Sequence, residues 1–171
     1  MPTIQLKAMT RELCHELYKH WTNDASIYMD MHLFQPYVYD EAAVNRYFDM
    51  KGQDASRRLF AIMLGDKVIG ELQLKQIDHD KKECSLSIHM QNDAVKGRGY
   101  GTQAERLAGK TAFLGPRAKG WAEKPAFDEL GMAAVNADTI RKNTRSQHVL
   151  EKVGFRFVGE DETFKYYRIE Q

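Results

Sequence analysis

A glycine-rich stretch in the second half of the sequence could bind a phosphate group. The residues Lys96-Gly97-Arg98-Gly99-Tyr100-Gly101-Thr102 follow a predicted strand and open a predicted helix. Glycines allow backbone N–H groups to converge on an anion, and a helix start adds unpaired N–H groups and the positive end of the helix dipole. Lys96 and Arg98 add positive charge. The stretch therefore predicts a pyrophosphate site, with a flexible connector as the alternative.

Two other phosphate-binding loops match this region less well. The dinucleotide-binding fingerprint GxGxxG requires its third glycine one residue later than Gly101, after the first strand of a βαβ unit. A P-loop pattern, GxxxxGK[ST], is approached by 104–111, which ends in Gly109-Lys110-Thr111. Ala104 stands where that pattern has its first glycine, and the residues between are good helix formers. A nucleotide-binding P-loop is therefore the weaker alternative.

Hydrophobic periodicity predicts the elements that must position this loop. Thr10 and Asp40 are predicted to cap two helices, and Gly154 to end another. The predicted strands are 3–9, 58–64, 67–76, 83–90, 131–137, 155–158 and 164–169. The other predicted helices begin near 101 and span 144–152, and a loop or broken helix is predicted over 115–126. An antiparallel meander over 58–90, followed by strands that alternate with helices, predicts an α+β fold with helices on the faces of a mixed sheet.

The overall composition excludes several classes of protein. The chain has 171 residues, enough for one domain with its own core, and 25 Lys and Arg balance 24 Asp and Glu to a net charge of +1. That balance argues against a nucleic-acid-binding protein. No apolar run approaches the ~20 residues of a membrane span, so no membrane partner is expected. Two cysteines without a CxxC pair favour a reducing compartment, and we expect a cytoplasmic protein.

Two motifs together resemble the GNAT acyltransferase family. The family's phosphate loop has Arg or Gln, two residues, Gly, one residue, then Gly or Ala, and Lys96 to Gly101 matches it with Lys at the first position. The segment from Asn143 to Phe155, with Ser146 and the run Val-Leu-Glu-Lys-Val-Gly-Phe, is similar to the RimJ/RimL-type branch. The segment from Phe127 to Met132 also resembles that branch. The resemblance covers about residues 3–169, with the motifs in the family's order.

The resemblance implies a fold, a reaction and a cofactor. It implies that residues 1–171 form a single N-acetyltransferase domain with the GNAT fold, a mostly antiparallel sheet flanked by helices. It implies an acyltransferase of EC class 2.3.1 that transfers an acetyl group from acetyl-CoA directly to a primary amine, of a small molecule or of a protein or peptide N-terminus. The pyrophosphate would bind the N–H groups of Arg98 to Thr102, and the pantetheine arm would pair with the end of strand 83–90. The cofactor-binding residues would be Ile88, Met90, Gln91, Lys96, Gly97, Arg98, Gly99, Tyr100, Gly101, Thr102 and Asn143.

Direct transfer requires a base, an oxyanion donor and an acid for the leaving thiolate. Many family members use a tyrosine seven residues after the helix asparagine as the acid, but that position is Leu150 here. Ser146 resembles a serine proposed as the acid in the RimJ/RimL-type branch, although a serine in the first turn could equally cap the helix. Glu83 and His89 are candidate bases, because they share one face of the same predicted strand. No His or Cys spacing predicts a metal site.

Several features remain open from the sequence. Glu71 and Gln73, on the preceding strand, share a face from which a carboxylate could also take the proton. Aromatic and acidic residues after the first helix could form a wall for a cationic amine or could simply pack: Trp21, Asp24, Tyr28, Asp30, Phe34, Tyr37 and Tyr39. The missing helix tyrosine keeps a non-catalytic acyl-CoA sensor as an alternative function. Exposed final strands would allow a homodimer.

Overall fold

The computed structural model describes residues 2–114 and 130–170. The strands there are β1 Ile4–Ala8, β2 Arg58–Leu64, β3 Lys67–Asp78, β4 Glu83–Met90, β5 Ala134–Ile140, β6 Arg156–Glu160 and β7 Phe164–Glu170. The α-helices are α1 Arg11–Lys19, α2 Glu41–Gln53, α3 Tyr100–Leu114 and α4 Thr144–Val153. Short 3-10 helices occupy Ala25–Ile27, Met31–Leu33 and Asp93–Val95. Within these residues no helix is long and apolar enough to cross a membrane.

The seven strands form one mixed sheet. Its order is β1-β2-β3-β4-β5-β7-β6, and every neighbouring pair is antiparallel except β4 and β5, which run parallel. The predicted meander is confirmed as β2-β3-β4. Helix α3 lies in the connection between the two parallel strands, as such a crossover requires. The predicted α+β architecture is therefore confirmed.

The helix boundaries follow the predicted capping signals. The Thr10 hydroxyl accepts a hydrogen bond from the Leu13 N–H at 3.1 Å, and the Asp40 carboxylate accepts one from the Ala43 N–H at 3.1 Å. Gly154 has a φ of 111°, a left-handed conformation that favours glycine, and it ends α4. These three predictions are confirmed.

The two faces of the sheet are covered by different helices. Helices α3 and α4 cover one face, where β4 contributes Cys84 and Leu86 to the larger core cluster. Helices α1 and α2 cover the other face over a smaller cluster. Both faces of β3 are buried, and Glu71 and Gln73 on the α1/α2 side are only 3% and 5% exposed. The polar face predicted for β3 therefore lies inside the protein.

Strand β5 begins at Ala134, later than the predicted start at 131. Leu130 and Met132 are buried, but the Met132 N–H donates to the Ala112 carbonyl of α3 at 2.9 Å. Their apolar character reflects packing against that helix, which single-sequence periodicity does not distinguish from strand pairing. The predicted loop 115–126, and residues 127–129 of the motif that ends at Met132, lie outside the described residues.

Gly70 on β3 lacks space for a side chain. A Cβ there would lie 2.7 Å from the His89 carbonyl oxygen and 3.1 Å from Ile62 Cδ1. We expect Gly70→Ala to lower the free energy of unfolding by roughly 1–3 kcal/mol, because β4 must move to accept the methyl group. Gly109 in α3 has no atom within 4 Å of its Cβ position, so Gly109→Ala should raise the same quantity by roughly 0.5–1 kcal/mol. Urea denaturation measures both, and equal stability of the two variants would contradict this packing.

Candidate active site

Strands β4 and β5 pair along only half of their length. The parallel register runs from Glu83 opposite Ala134 to Leu86 opposite Ala137. Beyond that point β4 continues to Met90 against β3 alone, while β5 continues to Ile140 against β7 alone. A gap therefore opens in the middle of the sheet, bordered by the carboxyl ends of both strands.

Two residues of β4 direct their peptide groups into this gap. The Lys82 carbonyl accepts hydrogen bonds from Ala133 and Ala134 at 2.7 and 3.2 Å, so the even-numbered residues that follow it on β4 also face β5. Peptide groups alternate in direction along a strand. Ile88 and Met90 accordingly present N–H and C=O groups where β5 provides no opposite residue in the described register. An extended ligand arm could pair with them as a neighbouring strand would.

The predicted glycine loop lies beside this gap. Gly97 and Gly99 have φ values of 69° and 79°, which are accessible mainly to glycine. The Gln103 N–H donates to the Gly99 carbonyl at 3.1 Å as α3 begins, so the N–H groups of Tyr100, Gly101 and Thr102 precede the first intrahelical bond. A Cβ on Gly101 would lie 4.0 Å from Ile88 Cδ1. The helix start and the gap are therefore adjacent, which suits a ligand with an anionic group and an extended arm.

The side chains of the loop contribute less than predicted. The Lys96 ammonium binds Asp24 at 2.9 Å and Asp93 at 3.2 Å, so its charge is shared with two carboxylates. The exposed Arg98 donates through Nε to the Ala94 carbonyl at 2.8 Å. Tyr100 is buried in the core. The capacity of the loop to bind an anion therefore rests mainly on its backbone N–H groups and on the remaining donors of Arg98.

A buried acid lies one helical turn after Gly101. Glu105 is 1% exposed, and burial raises the pKa of its carboxyl group to about 8. The group is therefore largely neutral at pH 7 and adds little negative charge below the loop. A neutral acid is compatible with an anion at the start of α3, whereas a carboxylate would repel it.

His89 lies near the end of β4 on the α1/α2 face of the sheet. Its ring lies 6.4 Å from the Trp21 ring, between centroids, and part of its surface is exposed to solvent. Surrounding protein nevertheless lowers its pKa by desolvation, while Glu71 opposes this shift. Exposed surface within dense surroundings is typical of a residue at a cleft wall. His89 is therefore neutral at physiological pH and can accept a proton.

A buried hydrogen-bond network that the sequence did not predict adjoins His89. Glu71 lies opposite His89 in the β3–β4 register. The Tyr47 hydroxyl donates to the Glu71 carboxylate, at 2.8 and 2.9 Å from its two oxygens, and accepts a bond from the Gln73 amide at 3.1 Å. Arg57 donates to the Gln73 side-chain oxygen. Glu71 stood among the candidate bases, but its partner on α2 had no signal in the sequence.

Ser146 and Asn143 lie at the start of α4, which follows the end of β5. The Asn143 side-chain oxygen accepts the Ser146 N–H at 3.1 Å, so Asn143 caps the helix and Ser146 does not. The alternative prediction, that Ser146 caps the helix, is therefore wrong. Because the side-chain oxygen of Asn143 is used in this cap, its side-chain amide nitrogen is the group that could donate to a ligand. His89 and α4 are on opposite faces of the sheet, with the gap between them.

Glu83 and Gln91 are not brought into this arrangement. Glu83 begins β4, roughly 20 Å from His89 by strand rise, and its carboxylate binds Arg168 at 2.6 Å. Gln91 donates from its amide to the Leu17 carbonyl at 2.9 Å, and its own backbone groups bond to Ile69 and Thr22. Glu83 therefore does not fit the predicted base, and Gln91 joins β4 to α1 rather than facing the gap.

The connector between α1 and α2 spans the gap. Asp24 is held by Lys96 on the β4 side, and its pKa is lowered to about 2 by the Ser26 hydroxyl and by Lys96. On the β5 side, the Lys142 ammonium donates to the Tyr28 carbonyl. The connector therefore contacts both borders of the gap, where it could contribute to a binding cleft. No group of three or more His, Cys, Asp or Glu side chains in residues 2–114 and 130–170 could hold a metal ion.

Comparisons with known proteins agree with this geometry. The family model described as acetyltransferase (GNAT) domain matches residues 4–156. A spermidine N-acetyltransferase from Vibrio cholerae, solved with CoA and spermine, has a TM-score of 0.74 and 16% identity over 99% of this chain and 96% of that chain. The N-acetyltransferase PseH from Campylobacter jejuni has a TM-score of 0.68 and 17% identity over 99% of each chain. A dodecameric structure of the Vibrio cholerae enzyme has a TM-score of 0.69 and 16% identity over 99% of this chain and 94% of that chain. No curated protein matches the sequence significantly.

The chain belongs to the GNAT acetyltransferase family, because the family model covers most of its length. It is accordingly an N-acetyltransferase of EC class 2.3.1, and the family's acetyl donor is acetyl-CoA. The TM-scores of these solved structures show a shared fold, and at 16–17% identity the likeness shows the fold alone.

Substitutions at Thr102, the third residue of α3, distinguish the effect of the helix start on protein stability from its effect on CoA binding. A carboxylate there favours the helix dipole but repels a pyrophosphate. We expect Thr102→Glu to raise the dissociation constant for CoA at least tenfold in calorimetric titration without lowering the free energy of unfolding. Thr102→Gln, the neutral control of similar size, should keep the wild-type affinity. Equal CoA affinity of the two variants would place the pyrophosphate elsewhere.

Proposed function

We propose that this protein transfers an acetyl group from acetyl-CoA directly to a primary amine at the gap between β4 and β5. One observation carries the proposal. The peptide groups of Ile88 and Met90 face the gap, and the unbonded N–H groups at the start of α3 lie directly beside it. An acyl-CoA offers both matching features, an extended amide-containing arm and a pyrophosphate.

The residues present fit this cofactor. The N–H groups of Arg98 to Thr102 would hold the pyrophosphate, and Ile88 and Met90 would pair with the pantetheine arm. The Asn143 amide nitrogen could donate to the same arm. When bound, acetyl-CoA supplies an acetyl thioester whose C–S bond breaks as the C–N bond to the amine forms, leaving the CoA thiolate.

His89 is the proposed base. An amine that arrives as an ammonium ion has no lone pair, so it must lose one proton before it can attack. The neutral imidazole accepts that proton directly or through one water, then releases it to solvent. An N–H group of Ile88 or Met90 would donate to the carbonyl oxygen as negative charge develops there.

Ser146 is the proposed acid on the opposite side of the gap. Its hydroxyl would donate a proton to the leaving sulfur and recover the second proton lost by the amine. Direct transfer is supported by the state of the two cysteines: burial raises the pKa of Cys14 and of Cys84 to about 12, so neither thiol is poised as a nucleophile for an acyl-enzyme.

The segment from Asn143 to Phe155 supports membership of the RimJ/RimL-type branch, and the acceptor is a small-molecule amine or a peptide N-terminus. The two free cysteines support a cytoplasmic location. Phe157 and Val158 on the edge strand β6 are 51% and 53% exposed, which supports self-association that light scattering would detect.

The P-loop alternative is wrong, because 104–111 lies inside α3, with Ala104 and Ala108 buried, and forms no loop. A non-catalytic acyl-CoA sensor would bind CoA but would release no CoA with any amine.

A CoA-release assay over small amines and a peptide with a free N-terminus tests the proposed function. We expect the wild-type protein to release CoA and His89→Gln to lower kcat by roughly 10²–10⁴. Because burial lowers the pKa of His89, kcat/KM should stay high at pH 7 and fall only below the ordinary imidazole range. His79→Gln, an exposed substitution in the β3–β4 turn, should leave both unchanged. Release that is absent with all acceptors, or unaltered in His89→Gln, would contradict the proposal.

A further inference from the structure

We infer that the cleft beside His89 is an ammonium-binding subsite in which the Glu71 carboxylate supplies the counter-charge. The acceptor is then an aliphatic amine that binds as its ammonium ion and places no carboxylate in the same cleft. The inference rests on the proposed function, since it names the acceptor class of that site.

Glu71 is a buried carboxylate without a cation at ion-pair distance. It is 3% exposed, and among the ion pairs of the described residues none within 4.0 Å involves it. Burial of an unpaired charge is unfavourable unless a partner compensates for it. An arriving ammonium ion would provide that compensation.

The hydrogen-bond network makes Glu71 an acceptor and leaves it able to accept further hydrogen bonds. A carboxylate can only accept, so the single Tyr47 proton points to Glu71, and the Tyr47 oxygen accepts from Gln73. The Gln73 oxygen in turn accepts from Arg57. Each donor in this series of hydrogen bonds therefore points towards Glu71. Two carboxylate oxygens offer about four lone-pair sites, and the Tyr47 proton together with the neighbouring Tyr18 hydroxyl does not fill them.

The cations nearest to this network are directed elsewhere. Arg57 also forms an ion pair with Asp54 at 3.2 Å, and the Lys51 ammonium lies over the Tyr47 ring, 5.6 Å from its centroid. Lys75 follows on the same strand face, roughly 13 Å from Glu71 by strand rise. None of these groups neutralises the carboxylate by direct contact.

Aromatic rings cluster around Glu71 on the α1/α2 face of the sheet. The half-buried Tyr18 ring is central, with centroids 5.0 Å from Trp21, 5.6 Å from Tyr47 and 5.8 Å from Tyr37. Burial and the Glu71 carboxylate raise the pKa of Tyr18, so the ring stays neutral. Neutral aromatic faces attract cations, which reinforces the carboxylate. Trp21 also contacts His89, so an ammonium bound here would lie beside the proposed base.

Two probes that differ in one charge test the subsite. 1,4-Diaminobutane and 4-aminobutanoate share an ammonium group on a short chain, but the second carries a carboxylate at its other end. Each is titrated by calorimetry into protein saturated with CoA, so the readout is binding and not turnover. We expect 1,4-diaminobutane to bind the wild-type protein at least tenfold more tightly than 4-aminobutanoate.

Variants at Glu71 test whether its charge causes the preference for 1,4-diaminobutane over 4-aminobutanoate. Glu71→Gln keeps the shape and can still accept from Tyr47, and it should reduce the ratio of the two affinities at least tenfold. Glu71→Asp keeps the charge and should retain a preference for the diamine. Glu16→Gln removes an exposed carboxylate from α1 and should change neither affinity.

Equal affinity of the wild-type protein for both probes would overturn the inference, whether or not the variants fold. An unchanged ratio in a folded Glu71→Gln protein would also overturn it. Failure of the proposed function is separate: CoA would bind without release by any amine, while the difference between the two probes would still be measurable.

Discussion

The peptide groups of Ile88 and Met90 set the requirement on which the rest of the site depends. Backbone N–H and C=O groups inside a protein need hydrogen-bond partners. Strand β5 turns away from β4 after Leu86, just before these residues, and is held against β7 instead. A ligand arm that pairs like a strand would restore the missing bonds. The start of α3 lies beside Ile88, so the same ligand can place its anionic group on the helix N–H groups.

The gap also connects the two faces of the sheet. In the proposed mechanism an amine approaches from the α1/α2 side, where His89 and Glu71 lie, while the sulfur leaves near Ser146 on the α4 side. The proposed base and the proposed acid would thereby act from opposite sides of the thioester. The connector that carries Asp24 is held by Lys96 next to the phosphate loop. The proposed cofactor and acceptor sites would therefore share a border.

Local signals made most of the fold and the conformation of the glycine loop predictable. Caps, turns and glycines with positive φ act within a few residues, so the sequence carries them directly. Side-chain partners from distant elements are not local. Alternation predicted the shared face of Glu83 and His89, but not the ion pair that Glu83 forms with Arg168 of β7. The pairing of Glu71 with Tyr47, and of Lys96 with Asp24, depends on how α1 and α2 pack over the sheet.

Hydrogen exchange at individual amides tests the central claim most directly. Each amide of β4 can be followed by NMR with and without saturating CoA. The Ile88 and Met90 N–H groups should exchange at least tenfold more slowly when CoA is bound, because the ligand arm occupies the gap. Amides of β2, between β1 and β3, should change little by comparison. Tight CoA binding with unchanged exchange at both Ile88 and Met90 would contradict the assignment of the gap as the cofactor site.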